Sequence, residues 1–297
     1  MPKFKTKLFI CIVSLVVCVL FFVLLYPPRP LVSVVMCVYN GAKSGDLDRS
    51  IPSILNQSYS DFEFIIVEDG SSDNSWEVLS AYAAKDPRIK LVRNDGNKGI
   101  SYSRNRGNDL ARGKYIMVMD QDDVSLPNRV LKQAAFMEAR PWLDIVSTPS
   151  ITPQAVSYQY NQDEISWLLF FGNNLGHPNL MMKRSFLKDH HIRYNTDFKC
   201  ANDYDLLVNA FEKGAQFGTM YEALFAYSGP NYSKKGSVCW EEVPKIYSQF
   251  MDNGVSKPDY FEDWACQVAT HLIKTQQYKH LLTPGFLELK QAMYCRK

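Results

Sequence analysis

Tyr115-Ile-Met-Val-Met-Asp120-Gln121-Asp122-Asp123-Val124-Ser125-Leu126-Pro127 holds the reading of both fold and chemistry. A run of apolar residues suits a strand buried on both faces, while the three carboxylates packed into the next four positions repel one another unless a cation or solvent screens them. The first half reads as scaffold and the second as a metal site. In an open α/β sheet, ligands bind beyond the carboxyl ends of the strands, and these acids fall there if the strand is parallel and internal. A calcium loop of the EF-hand type is the rival, but its ligand spacing and terminal Glu are missing.

Outward from this stretch, strand-like and helix-like segments alternate. Leu31 to Val38, Phe62 to Val67, Ile89 to Val92 and Asp144 to Thr148 are apolar runs of strand length. Between them, Leu47, Ile51, Ile54 and Leu55 mark a helical stripe that contains Pro52. Ser72 or Asp73 caps a second helix with Trp76, Leu79 and Ala83 on one face, stopped by Pro87. Further helices are expected over Ser101 to Ala111, from Ser125 and Pro127 through Glu138, and over Asp203 to Lys213. The alternation predicts an α/β fold with a mostly parallel sheet and helices on both faces. The segment from Pro149 to Asn202 is less regular, with an aromatic helix at Trp167, Leu168, Phe170 and Phe171 and a strand-like Leu180-Met-Met. Residues 231–297 read as a polar, helical extension.

Composition narrows the partners. The 297 residues are 46% hydrophobic and 13% aromatic, enough for a substantial core. A net charge of +2 gives no field that would gather nucleic acid, so any phosphate must be held locally. Seven cysteines at irregular spacing, none in a CxxC pair, argue against a zinc site and against a complete disulfide framework. Cys37 falls in a core strand and reads as a small buried hydrophobe.

Lys3, Lys5 and Lys7 precede an apolar run from Leu8 to Leu25 that carries no charge. Its length as a helix is about 28 Å, near the thickness of a bilayer core. Tyr26-Pro-Pro-Arg-Pro follows in place of a cleavage site, so residues 8–25 are expected to be a single-pass membrane anchor rather than a secretory signal. The expected organisation is a basic tail, anchor and linker over 1–30, the α/β domain over 31–230 and the extension over 231–297. The basic tail leans toward an N-terminus in the cytoplasm. A cytosolic face and a Golgi-type lumen both stay open for the domain.

Four fragments in sequence, Val34-Val35-Met-Cys-Val38-Tyr39-Asn40-Gly41, Ile65-Ile-Val-Glu68-Asp69-Gly70-Ser71-Ser72-Asp73, Asn97-Lys98-Gly99 with Ser103-Arg104-Asn105, and Asp120-Gln121-Asp122-Asp123, resemble the family 2 glycosyltransferases in order and spacing. The resemblance spans about residues 31 to 228. It implies a GT-A fold and an inverting transfer of sugar from a nucleotide-sugar donor to a saccharide or lipid-linked acceptor. It also assigns residues. Val38, Tyr39 and Asn40 lie at the donor, with Tyr39 against the nucleobase. Asp69 accepts a base N–H, which favours UDP or dTDP sugars. Arg104, Asp120 and Gln121 belong to the donor site, and Asp122 is the ligand of Mn²⁺ or Mg²⁺, with Asp123 an alternative cap for the next helix. Asn202-Asp203 matches the family's Glu-Asp motif with Asn in the first place, making Asp203 the general base. His177, before Pro178, and Asn202 fall on the acceptor side. Taken alone, each fragment has a plainer reading as a turn, a helix cap or a solvated side chain.

Two other classes compete with this one. A nucleotidyltransferase requires a Gly-rich phosphate loop after the first strand, and Tyr39-Asn40-Gly41 does not supply it. A catalytically inactive nucleotide-sugar-binding or scaffold protein on the same fold has no need of both Asp122 and Asp203. A processive synthase is disfavoured by the absence of Gln-x-x-Arg-Trp and by the single span, so the expected enzyme is a non-processive, hexosyltransferase-type glycosyltransferase.

Overall fold

A computed structural model describes residues 30–151, 175–226 and 242, all within a unit that runs Met1–Tyr247. The expected anchor at 8–25, the aromatic helix near Trp167 and the C-terminal extension other than Glu242 lie outside the described residues. Among the described residues no helix is long and apolar enough to cross a membrane.

Seven strands form the main sheet in the order β3-β2-β1-β4-β8-β6-β9. They are β1 (Val32–Val38), β2 (Phe62–Glu68), β3 (Ile89–Arg93), β4 (Tyr115–Asp120), β6 (Ile145–Ser147), β8 (Leu180–Lys183) and β9 (Phe217–Thr219). The pairs β3–β2, β2–β1, β1–β4 and β6–β9 are parallel, and β8 runs antiparallel to both of its neighbours. A small second sheet joins β5 (Val124–Ser125), β10 (Phe225–Ala226) and β7 (Ser150–Ile151).

Strand periodicity explains why the central runs are apolar throughout. Successive side chains point to opposite faces, and here both faces are covered. Val34, Met36, Phe64, Ile66, Met117 and Met119 share one core cluster. Val35, Ile65, Val67, Ile116 and Val118 share the other. Helices α1 (Leu47–Leu55), α2 (Ser75–Ala83), α3 (Ile100–Leu110), α4 (Arg129–Glu138), α5 (Arg184–Asp189) and α6 (Asn202–Glu212) complete the described layers. Helix α3 lies close on the sheet because position 107 is glycine: a Cβ there would meet Val35 Cγ1 at 2.4 Å.

The helix expected from Ser125 starts later. Val124 and Ser125 pair with Ala226 and Phe225 as a strand, so α4 begins only at Arg129 with Asn128 in the N-cap position. Asp123 therefore does not cap it, contrary to the alternative reading of the sequence, and is buried within the loop that joins β4 to β5. Arg129, fully buried, ties this region together by donating to the Val118 and Pro178 carbonyls at 3.0 and 2.7 Å and to Ser125 Oγ at 3.0 Å. Cys37 is a free thiol whose pKa burial raises to about 12, and Cys200 is disulfide-bonded.

What the sheet does for function lies in its register. Val38 stands opposite Glu68, Glu68 opposite Arg93, and Cys37 opposite Asp120. Four parallel strands thus end level, and the motif residues at each end emerge on one edge.

Candidate active site

At the end of β1 the backbone is shaped by two side-chain locks. Gln121, just past β4, accepts the Tyr39 N–H on Oε1 at 2.9 Å and donates from Nε2 to the Tyr39 carbonyl at 3.2 Å. Asn40 adopts a left-handed φ of 52°, tolerable for Asn, and its Oδ1 accepts from the Ser72 N–H at 2.9 Å while its own N–H donates to Ser71 Oγ at 3.0 Å. The family resemblance places both residues at the donor, and in the structure their side-chain groups hold the ends of β1, β2 and β4 in fixed relation. Val38 is a core residue, and its carbonyl accepts the Asp69 N–H at 2.8 Å. The Tyr39 side chain is left 44% exposed, an aromatic face at the strand edge.

Asp69, nearly fully buried, organises the loop after β3. Its Oδ1 accepts from Asn94 Nδ2 at 2.6 Å and the Lys98 N–H at 2.9 Å; its Oδ2 accepts the Gly99 N–H at 2.9 Å. One carboxylate oxygen offers two lone pairs, so a single acceptor position on Oδ2 remains for a ligand N–H. The turn that lets the chain pass this close is Gly70, with φ 69° and no room for a Cβ, which would meet Gly96 C at 2.4 Å. Beside it, the buried Glu68 lies 2.7 Å from Arg93 Nε.

Arg104 is the central cation. Its Nη2 donates to Asp120 Oδ1 at 3.0 Å and its Nη1 to Asn202 Oδ1 at 2.9 Å, so one guanidinium joins the end of β4 to the first residue of α6. Burial works against its charge, and the surrounding groups, Asp120 foremost and Asp203 among them, together more than restore it, so Arg104 stays protonated. Its planar group lies 5.5 Å from the Tyr194 ring centroid. The next residue, Asn105, grips Tyr194 by its backbone, donating to the carbonyl at 2.8 Å and accepting the N–H at 2.9 Å.

Tyr194 in turn meets His177, whose Nε2 lies 2.8 Å from the tyrosine hydroxyl. His177 is buried, its Nδ1 has no hydrogen-bond partner, and burial followed by the nearby Arg104 charge depresses its pKa to about 3. It is neutral at physiological pH and acts here as a hydrogen-bonding wall rather than a proton carrier. Burial likewise raises the Tyr194 pKa, with Arg104 opposing.

Asp203 occupies the first turn of α6. Burial raises its pKa above the ordinary carboxylate range, and the Arg104 charge partly opposes this. It is not the N-cap, a position held by Ala201. The acids after β4 are graded: Asp120 is paired with Arg104, Asp122 is half-buried and Asp123 is buried. Among the described residues no group of three or more His, Cys, Asp or Glu side chains is arranged to hold a metal. A nucleotide-site Mg²⁺ or Mn²⁺ needs less, since one or two carboxylates suffice when diphosphate oxygens complete the shell. The hard oxygens of Asp120 and Asp122 fit that requirement.

The structure thus brings Tyr39, Asp69, Arg104, Asp120, Gln121, Asn202 and His177 into one connected edge. Sequence reasoning missed Tyr194 and Asn94, which sit in loops without a motif, and Glu242, which lies beyond the domain limit drawn at 230.

Comparison with known proteins bears on the fold and the family. The profile of the family described as Glycosyl transferase family 2 matches residues 33–203. An uncharacterized glycosyltransferase of Methanocaldococcus jannaschii, MJ1057, is 34% identical over 212 residues, covering 68% of this chain and 72% of that protein. Among solved structures, S. aureus TarS residues 1–349 in complex with UDP superposes with TM-score 0.63 at 17% identity, covering 86% of this chain and 76% of that one. The mannosyltransferase PcManGT of Pyrobaculum calidifontis, in complex with GDP-Man and Mn²⁺, superposes with TM-score 0.62 at 19% identity, covering 90% and 74%. These superpositions carry the GT-A-like fold. The profile match over more than half of the chain, with the aligned sequence of the archaeal glycosyltransferase, carries the conclusion that this chain belongs to glycosyl transferase family 2.

Proposed function

We propose that this chain is an inverting, non-processive hexosyltransferase that moves a sugar from a UDP- or dTDP-sugar to a hydroxyl of a saccharide or glycolipid. The observation that carries the proposal is the Arg104 bridge, which links a donor-side acid, Asp120, to the helix start bearing Asp203. The exposed Tyr39 ring offers a stacking face for a nucleobase. The remaining acceptor position on Asp69 suits the N–H of uracil or thymine, whereas cytosine presents a lone pair there.

In the transfer, the acceptor oxygen forms a bond to the anomeric carbon as the bond from that carbon to the phosphate oxygen breaks. The bonding pair leaves with the nucleoside diphosphate, and the acceptor proton passes to Asp203, whose raised pKa makes it the better base. Asp122, with Asp120 beside it, would hold Mg²⁺ or Mn²⁺, which supplies charge neutralisation on the departing diphosphate when bound. His177 and Tyr194, both neutral, form a wall beside Arg104 on the acceptor side.

The test is release of nucleotide from a panel of nucleotide sugars with Mn²⁺, alongside thermal shift, since a bound donor stabilises the fold by mass action. UDP or dTDP sugars should give the largest shifts, and Asp122→Ala should abolish the Mn²⁺-dependent turnover. Equal, slow release by wild type and Asp122→Ala would remove the enzyme reading, and a preference for CMP sugars would remove the role given to Asp69.

A further inference from the structure

The helix that carries Asp203 has a poor start of its own. Its N-cap is Ala201, which has no side-chain acceptor, and within the first turn Asp203 Oδ1 accepts the Tyr204 N–H at 2.8 Å. The backbone N–H groups of the turn just before it need an acceptor as well. Here one arrives from far along the chain. Glu242 accepts the Lys199 N–H at 2.9 Å on Oε1 and the Cys200 and Ala201 N–H groups at 3.0 and 2.9 Å on Oε2. Three consecutive backbone donors thus converge on one carboxylate, immediately before Asn202 and Asp203.

We propose that Glu242 is a positioning residue for the transfer, fixing from beyond the family-matched region the turn that sets Asn202 against Arg104 and Asp203 at the site. The profile match ends at 203, so this device belongs to the part of the chain that the family pattern does not describe. Charge-assisted bonds from a carboxylate to backbone N–H groups are the stronger kind, and three of them hold a turn that would otherwise leave its donors to water. The consequence is confined to one side of the site. Tyr39, Asp69 and Asp120 hang on strand ends, and the three bonds of Glu242 lie on the turn before α6, so the donor contacts have supports of their own. The inference rests on the reading of Asp203 as the base.

Two measurements test it on the full chain. In hydrogen exchange, the amides of Lys199, Cys200 and Ala201 should be protected in wild type and exchange at least about tenfold faster in Glu242→Ala. In steady-state transfer with Mn²⁺, Glu242→Ala should lower kcat on the order of 10²-fold, the scale for a misplaced catalytic group. The donor KM should stay within about twofold, because donor binding is not what the contact serves. Glu242→Asp, which keeps the charge, should recover part of kcat. If Glu242→Ala melts below the assay temperature, Glu242→Gln replaces it, since one amide oxygen cannot serve all three donors. Unchanged exchange at 199–201 would overturn the docking. Loss of kcat and rise of KM in equal measure would overturn the positioning role, leaving a general structural one. A wild type that transfers no sugar from any donor would instead defeat the glycosyl-transfer reading, and the exchange data would still decide whether Glu242 holds the turn.

Discussion

Arg104 donates one N–H to Asp120 and another to Asn202, residues 16 and 98 positions away, and so makes the end of β4 and the start of α6 parts of one network. This gives a physical account of Asn in the place where the family resemblance expects Glu. The amide oxygen accepts the guanidinium N–H without adding a second negative charge beside Asp203. Asp120 remains the one carboxylate in the pair with Arg104.

Lysine at 104 keeps the charge but not the fork that reaches two acceptors at once. Arg104→Lys should lower kcat/KM by about 10- to 10²-fold, the worth of one hydrogen bond to a charged group. Arg104→Met should do more, since Arg104 is what restrains the raised pKa of Asp203. Without it that pKa climbs further, and the acid limb of the kcat profile should move to higher pH. A pH–rate profile of the two variants checks both statements.

Asp203→Asn removes the proposed base and should lower kcat by about 10² to 10⁴. Stability should go the other way at neutral pH. A carboxyl whose folded pKa is raised binds its proton more tightly when folded, so its contribution to stability is lost as pH rises from the ordinary carboxylate range through the folded pKa. The amide carries no such penalty. Thermal melts at pH 4 and pH 8 should show Asp203→Asn gaining on wild type at the higher pH.

Much of this was legible in the sequence because strand ends announce themselves. Continuous apolar runs such as Tyr115 to Met119 are what a strand covered on both faces must be, and parallel pairing then places the polar residue after each run on one edge. Tyr39, Asp69 and Asp120 are placed at or just past the strand ends by that pattern, and the structure has them there. What the pattern does not carry is which polar atoms satisfy one another. Gln121 and Asn40 look like ligand contacts in sequence, and the structure adds bonds the pattern does not show: the Gln121 amide is taken up by the Tyr39 backbone, and Asn40 Oδ1 accepts from Ser72. Tyr194 and Glu242 reach the site across 89 residues to Asn105 and 41 to Ala201, distances at which local periodicity has no information.

Asp69→Asn should uncouple the loop after β3. Three donors from Asn94, Lys98 and Gly99 converge on the carboxylate, and an amide offers one oxygen and sets its own NH₂ against the others. Leaving a buried donor unsatisfied costs about 1–3 kcal/mol. For a domain of this size that is a loss of roughly 2–4 °C in Tm per kcal/mol, readable by calorimetry. The donor KM should rise together with the loss of stability, because the same carboxylate holds the loop and offers the remaining acceptor position.

His177 supplies the last test, through acid stability. Its pKa is depressed to about 3 in the fold by burial and then by Arg104. In the unfolded chain an imidazole takes its proton near pH 6.5. Between those values the unfolded state holds one more proton than the folded one, so stability falls as pH drops through this window, at about 1.4 kcal/mol per pH unit from this residue. His177→Phe removes that proton along with the bond to Tyr194, so the variant should be less stable than wild type at pH 7 yet lose less on acidification. Denaturant unfolding at pH 7 and pH 5 separates the two effects. Parallel pH slopes would mean that His177 is not held neutral beside Arg104, and the wall drawn on the acceptor side would have to be redrawn.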